Sequence, residues 1–332
     1  MTATENAPGT RPAGFYQDRV ERTATGAVVF RLLDDRDDHL RDHTVDGVPT
    51  LPGCFAAEMA AQAAGLLAPG RVVTGFRDLT FDRFVKVGAT ARGPLRALAE
   101  LRAADEDVTV VDVRVVADVV ARSGRVLAAD RQHCSVRVVL ADAHPRPPTW
   151  DAWPTAAELP VVDPYHVDGA PVRLDGPFRS TAGTRLHPMG ARAAYTAPAR
   201  PGSVFERFTT PALLLDGMLR LTGVELLDDR YAPVSVPTGV GRVDLYTGAH
   251  DVALGALGGV VDLTSSPRGV VLGAEPGGRV VATAPDGRVL AQLKDVAGLV
   301  VGYFDVREGR HLRELPAGAP GRPTAAPRAI PV

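Results

Sequence analysis

Residues 53–67, GCFAAEMAAQAAGLL, form an Ala-rich run whose large apolar side chains are Phe55, Met59, Leu66 and Leu67. A second run, from about 211 to 227, gathers Leu213, Leu214, Leu215, Met218, Leu219 and Leu221 around Asp216. Both read as helices, the second with Thr210 as N-cap and Pro211 at its first position. Each is apolar on nearly every side, so it has to be enclosed by other elements rather than laid against one of them.

Strands to enclose them are present in both halves. The first has strand-like runs at 25–33, 71–87, 94–102, 108–121 and 125–140, and the second at 191–197, 233–246, 252–263, 269–273, 279–284 and 288–304. Alternation of apolar and polar residues, clearest in 71–87, marks half-buried strands. Each half therefore offers one long helix and enough strands for a curved antiparallel sheet to wrap it, an α+β pattern repeated in structure rather than in sequence. Between the halves, residues 141–164 carry Pro145, Pro147, Pro148, Pro154, Pro160 and Pro164 with Trp150 and Trp153, and read as a semi-rigid linker. The expected organisation is a disordered lead at 1–14, an N-terminal unit at 15–140, the linker at 141–164, a C-terminal unit at 165–305 and a Pro- and Ala-rich disordered tail at 306–332.

Aromatic residues make up only 5% of the chain, so its core must rest on Val, Leu and Ala. Lys and Arg number 37 against 39 Asp and Glu, a net charge of −2 that gives no electrostatic case for nucleic acid or a membrane surface. No apolar segment approaches the roughly 18 residues that a span needs, and the polar N-terminal stretch lacks a signal-peptide core. The cytoplasm is the expected compartment. Cys54 and Cys134 are expected to act as small apolar side chains.

The chemistry points to residues 39–58, HLRDHTVDGVPTLPGCFAAE, in which His43 is followed by Gly47 and Pro52. Gly47 permits a turn with positive φ. Pro52 suits a helix start. A base would then stand beside the free N–H groups near Gly53, and such groups can hold a developing oxyanion while a proton is removed next to a carbonyl. In the second half, the apolar surroundings of Asp216 favour the neutral acid that proton donation requires. An ordinary i, i+4 ion pair with Arg220 on a solvated face is the other reading of the same residues.

The His43, Gly47, Pro52 spacing resembles the HxxxGxxxxP motif of polyketide synthase dehydratase domains. TTPALLLDGMLRL at 209–221 resembles that family's DxxxQ or DxxxH motif, with Asp216 at the acid position and Arg220 where the family has Gln or His. Leu174 to Arg179 keeps the Gly176-Pro177 pair and Phe178 of a GYxYGPxF segment without its tyrosines, and Pro237 is what remains of an LPFxW-like strand.

The resemblance covers roughly residues 15–305 and implies a double hotdog, two curved antiparallel sheets each wrapping a central helix. It implies a hydro-lyase that dehydrates a β-hydroxyacyl thioester, tethered by phosphopantetheine to an acyl carrier protein, in polyketide and antibiotic biosynthesis. His43 and Asp216 would be catalytic, and Gly47, Pro52, Gly53, Gly176, Pro177, Phe178 and Arg220 would bind substrate. No cofactor or metal is called for. The partners would be the carrier and other synthase components, met in trans or as a separately expressed module, with a homodimer as a further option. Double-bond isomerisation, oxa-Michael cyclisation and a non-catalytic binding module are the alternatives on the same fold.

Other features carry less. His39 and His43 lack a third ligand for a metal. His133, His144, His166, His187, His250 and His311 lie in expected strands or loops without paired acids, and only His187 falls near loops that could form a tunnel mouth. The Gly-rich segments at 253–259 and 273–278 read as hairpin turns, and Arg179, Arg185, Arg192, Arg200 and Arg207 are scattered cations that could meet an acidic carrier.

Overall fold

The computed structural model describes residues 14–33, 37–87, 93–121, 123–151, 153–196, 200–227, 229–257, 260–266, 278–316 and 319. The first half runs β1 (Arg19–Arg22), β2 (Gly26–Arg31), β3 (His43–Val45), β4 (Val48–Leu51), α1 (Gly53–Gly65), β5 (Val72–Phe81), β6 (Val85–Lys86), β7 (Leu95–Ala104), β8 (Val108–Val120) and β9 (Val126–Ala141). The second runs β10 (Leu159–Pro160), β11 (Val172–Leu174), β12 (Thr181–His187), β13 (Gly190–Tyr195), α2 (Ala212–Leu221), β14 (Tyr231–Leu245), α3 (Asp251–Ala256), β15 (Val261–Ser266), β16 (Gly278–Thr283), β17 (Val289–Asp305) and β18 (Arg310–Leu312).

This is a double hotdog. Strands β2, β5, β7, β8 and β9 pack on α1, and β13 to β17 pack on α2. All side chains of α1 from Cys54 to Ala64 are buried, and so is every residue of α2. Alanine at 56, 57, 60, 61, 63 and 64 lets the sheet approach α1 closely, which a helix of larger residues would prevent. The two curved sheets are halves of one antiparallel sheet, ordered β1-β2-β7-β8-β9-β5-β14-β17-β16-β15-β13-β12-β10, with β18 on β17. Pairing of β5 with β14, from Gly75 opposite Asp244 to Thr80 opposite Gly239, makes the join. A second sheet, β11-β3-β4-β6, takes β11 from the second half and the other strands from the first.

Several boundaries differ from the sequence reading. The second helix stops at Leu221, where the Thr222 hydroxyl donates to the Leu219 carbonyl at 2.6 Å and Gly223 follows. Residues 251–256, expected as strand and turn, form α3, because His250 accepts the Ala253 N–H as an N-cap. The expected linker adheres to the second half: the Trp150 backbone N–H donates to the Gly287 carbonyl, the Trp153 ring packs at a tilt against His187 and β10 joins β12. Residues 306–316 are not a loose tail, since a turn brings β18 back onto β17 and Leu315 is buried. The expected lead at 1–13, the run at 269–273, the Gly-rich turn at 273–277 and most of the tail beyond 316 lie outside the described residues. No helix among the described residues is long and apolar enough to cross a membrane.

Candidate active site

The histidine motif folds as a hairpin rather than running straight into a helix. Asp46 and Gly47, at φ 49° and 74°, form a two-residue turn between β3 and β4 in which both central residues have positive φ. That is the Asp-Gly preference of a type I′ hairpin. The hairpin brings Thr50 across from His43, and the His43 Nδ1–H donates to the Thr50 carbonyl at 2.8 Å. A carbonyl can only accept, so the proton sits on Nδ1 and the lone pair on Nε2. Burial lowers the pKa of His43 below the ordinary 6.5, against a smaller opposing pull from Asp216, so the ring stands neutral and ready to take a proton. The Phe178 ring packs edge-on against it at 5.2 Å.

The position of His43 depends on both halves. Its strand pairs with β11, Leu174 opposite His43, and immediately after β11 the chain makes the 3-10 turn Gly176–Phe178. Gly176 has φ 48°, and a Cβ there would come within 2.1 Å of an Asp42 carboxylate oxygen, so only glycine lets the turn close over the histidine motif.

A cavity of about 190 Å³ connects His43 to Asp216. Gly53 and Ala56 of α1 and Asp216 and Arg220 of α2 line its inner side. Its walls come from the small sheet (Leu51, Val85, Val172, Leu174) and from the seam of the large one (Cys134, Val236, Leu299). Phe55 and Ala56 donate back to the Pro52 carbonyl, so of the first N–H groups of α1 those of Gly53 and Cys54 are the ones with no acceptor within their own helix. Of the residues expected at the site, His43, Gly53, Asp216 and Arg220 share this cavity. Gly47, Pro52, Gly176, Pro177 and Phe178 do not line it: Gly47 turns the hairpin, Pro52 caps α1, and Gly176 to Phe178 support His43 from behind.

Asp216 and Arg220 do form an i, i+4 pair, but on a buried helix and not on a solvated face. Oδ2 lies 3.3 Å from Arg220 Nε with both side chains about nine-tenths buried, and neither atom has a hydrogen-bond partner. The rest of the guanidinium is engaged elsewhere: Nη2 donates to the Phe178 carbonyl and the Ser180 hydroxyl, both at 3.0 Å. Nη1 donates to Asp163 at 3.4 Å and to His166 Nε2 at 3.2 Å. His166 therefore has both a paired acid, Asp163, and a neighbour that lines the cavity, Arg220, contrary to the sequence reading.

Sequence reasoning missed other groups. Tyr165 lines the cavity, its hydroxyl donating to the Ser235 carbonyl at 2.7 Å, and nothing beyond its place at the end of the Pro-rich stretch signals it. His133 also lines the cavity. His187 does not; it is buried between Pro154 and Met189.

Two buried carboxylates hold the helices that carry the site. Glu58 of α1 accepts from the backbone and hydroxyl groups of Thr209 and Thr210, so Thr210 serves α1 and does not cap α2. Burial raises the Glu58 carboxyl to about 7 despite these donors. The cap of α2 is instead Asp251, which accepts Leu213 and Leu214 N–H at 3.0 Å each and the Tyr195 hydroxyl at 2.5 Å. Burial raises Asp251 to about 6. Glu58 met the criterion that singled out Asp216, a carboxylate in an apolar helix. Asp251 had only a helix-start pattern at His250-Asp251.

The candidate arginines are mostly committed within the chain. Arg179 pairs with Asp175, Arg185 and Arg192 with Glu158, and Arg207 donates to Gly14 and covers the Phe15 ring. Both cysteines are buried, and burial raises their thiol pKa values. Among the described residues no group of three or more His, Cys, Asp or Glu is placed to hold a metal ion.

The fold is that of polyketide synthase dehydratase domains. The dehydratase domain of CurF from the curacin polyketide synthase superposes with a TM-score of 0.62 at 12% identity, covering 87% of this chain and 99% of that one. The dehydratase domain of RzxB from Pseudomonas fluorescens gives 0.62 at 15% identity, covering 86% and 98%. That of PpsC from Mycobacterium tuberculosis gives 0.59 at 21%, covering 88% and 100%. No protein-family model matches the sequence, and no curated protein matches it.

Proposed function

We propose that this protein dehydrates a β-hydroxyacyl thioester, presented on the phosphopantetheine arm of an acyl carrier protein, to the α,β-unsaturated thioester. The observation that carries the reading is that His43 and Asp216, from opposite halves of the chain, line one largely apolar cavity. His43 Nε2 takes the α proton, and the free N–H groups at the start of α1 hold the enolate-like oxygen. Asp216 gives its proton to the β-hydroxyl, the C–O bond breaks and water leaves. Turnover leaves an imidazolium and a carboxylate, and return of one proton from His43 to Asp216 resets the pair. The balance requires no redox cofactor. Likeness to dehydratase domains of polyketide synthases supports a place in polyketide assembly.

The test is to incubate the protein with synthetic β-hydroxyacyl pantetheine thioesters and follow water loss by mass spectrometry. Activity in the wild type that disappears in His43→Ala and Asp216→Asn is expected. Water loss that survives His43→Ala would overturn the reading.

A second reading rests on Arg220, whose cation lies 3.3 Å from the Asp216 carboxyl group. In double-bond migration, a proton is taken from the γ carbon and one is returned to the α carbon, so none need be given to a departing hydroxyl. Supplying enoyl thioesters to the same protein distinguishes the two.

A further inference from the structure

The cavity has a polar corner that the reaction does not use. Among the lining residues, Asp82 and Thr238 are the exposed ones, with Arg83, Phe84 and Pro237 half-buried beside them. They mark its mouth, at the point where β5 ends at Phe81 and leaves its neighbours β9 and β14. His133 of β9 stands at that point, its backbone carbonyl accepting the Asp82 and Arg83 N–H groups at 2.9 and 3.4 Å. Nδ1 is shielded from solvent and has no hydrogen-bond partner, which leaves the Nε2 edge of the ring as the part that can meet a ligand. Burial lowers the pKa of the ring against smaller opposing contributions from the Arg83 and Phe84 backbone, so the ring meets a ligand uncharged. Of its neighbours on the cavity wall, Phe81 and Phe84 have no polar side-chain atom and Cys134 has only a weakly hydrogen-bonding thiol.

On the thioester reading given above, the acyl group must pass this mouth to reach His43 and Asp216, so the thioester arm is what comes to rest beside His133. The polar group nearest the sulfur on a pantetheine arm is its first amide. We propose that His133 is a positioning residue that hydrogen-bonds this amide and so fixes how far the thioester advances toward His43.

The experiment compares two substrates with the same β-hydroxyacyl group: the N-acetylcysteamine thioester, which has the amide, and the n-pentyl thioester, which matches it in length without one. The wild type is expected to favour the amide substrate by about tenfold in kcat/KM, the effect of one hydrogen bond. His133→Leu brings the ratio close to one, and His133→Gln, whose amide reaches the place of Nε2, restores most of it. An equal loss on both substrates in His133→Leu, or an unchanged ratio, overturns the proposal.

Calorimetric binding of the unreactive saturated acyl thioether of N-acetylcysteamine separates this idea from the catalytic one. Binding weakened about tenfold by His133→Leu, with no water loss from any thioester, retains the subsite and removes the dehydratase reading. Turnover with binding and ratio indifferent to His133 does the reverse.

Discussion

Arg220 keeps its Nε 3.3 Å from Oδ2 of Asp216 while its remaining nitrogens hold Asp163, His166, Phe178 and Ser180 in place. One buried cation therefore ties the acid helix to the turn behind His43 and to the end of the linker. Removing it leaves the groups it holds, among them the Asp163 and Asp216 carboxyls and the Phe178 carbonyl, without that partner. Arg220→Ala should cost about 3 kcal/mol or more of stability, measured by urea unfolding. Arg220→Lys should not rescue it, because a single ammonium cannot reproduce the fork. An Arg220→Ala protein as stable as the wild type would show that the network holds nothing.

As the proposed base His43 must be neutral to act, and burial lowers its pKa. A base works above its pKa, so the acid limb of the kcat/KM profile should lie below pH 6.5, the ordinary histidine value. His43→Ala should reduce turnover by roughly 100- to 10,000-fold. A limb at or above the ordinary value would contradict the environment described for the ring.

Glu58 should make the fold more stable in mild acid. Its carboxyl is raised from 4.5 to about 7, so between these values the folded chain retains a proton that the unfolded chain has released. Rising pH then favours unfolding, and stability should fall by up to ~3 kcal/mol between the two values and level off above. Denaturation midpoints of the wild type and Glu58→Gln across this range test it: the variant is less stable but should lack this part of the slope.

Asp251 satisfies two helix N–H groups and the buried Tyr195 hydroxyl. Asp251→Ala strands all three, with an expected loss of about 3 kcal/mol by thermal unfolding. Asp251→Asn, which keeps one acceptor oxygen, should lose less. Since α2 carries Asp216, activity should fall with the start of that helix even at temperatures where the chain stays folded.

The two helices and most long strands were legible because burial on all sides leaves an unmistakable pattern in α1 and α2, and alternation marks strands such as β5. His43 and Asp216 stood out for a different reason: the residues around them resemble two motifs of a known family, and Asp216 also stands among apolar neighbours. What escaped were relationships made by tertiary contact. No local pattern says that β11 crosses to β3, that Thr210 donates to Glu58 across helices, or that Asp251 caps a helix that begins some forty positions earlier. The hairpin inside the histidine motif was hidden because Gly47 was read as a turn by itself, without Asp46 and the strand pairing that an Asp-Gly dipeptide permits.

The crossing of β11 to β3 has a consequence for how such a protein can be taken apart. A chain cut within 141–164 would give an amino-terminal fragment with His43 but without the outer strand that steadies it, and a carboxyl-terminal fragment with Asp216 and a stray strand. Neither piece is a self-sufficient module, so exchange between relatives has to move the whole pseudo-dimer as one heritable block.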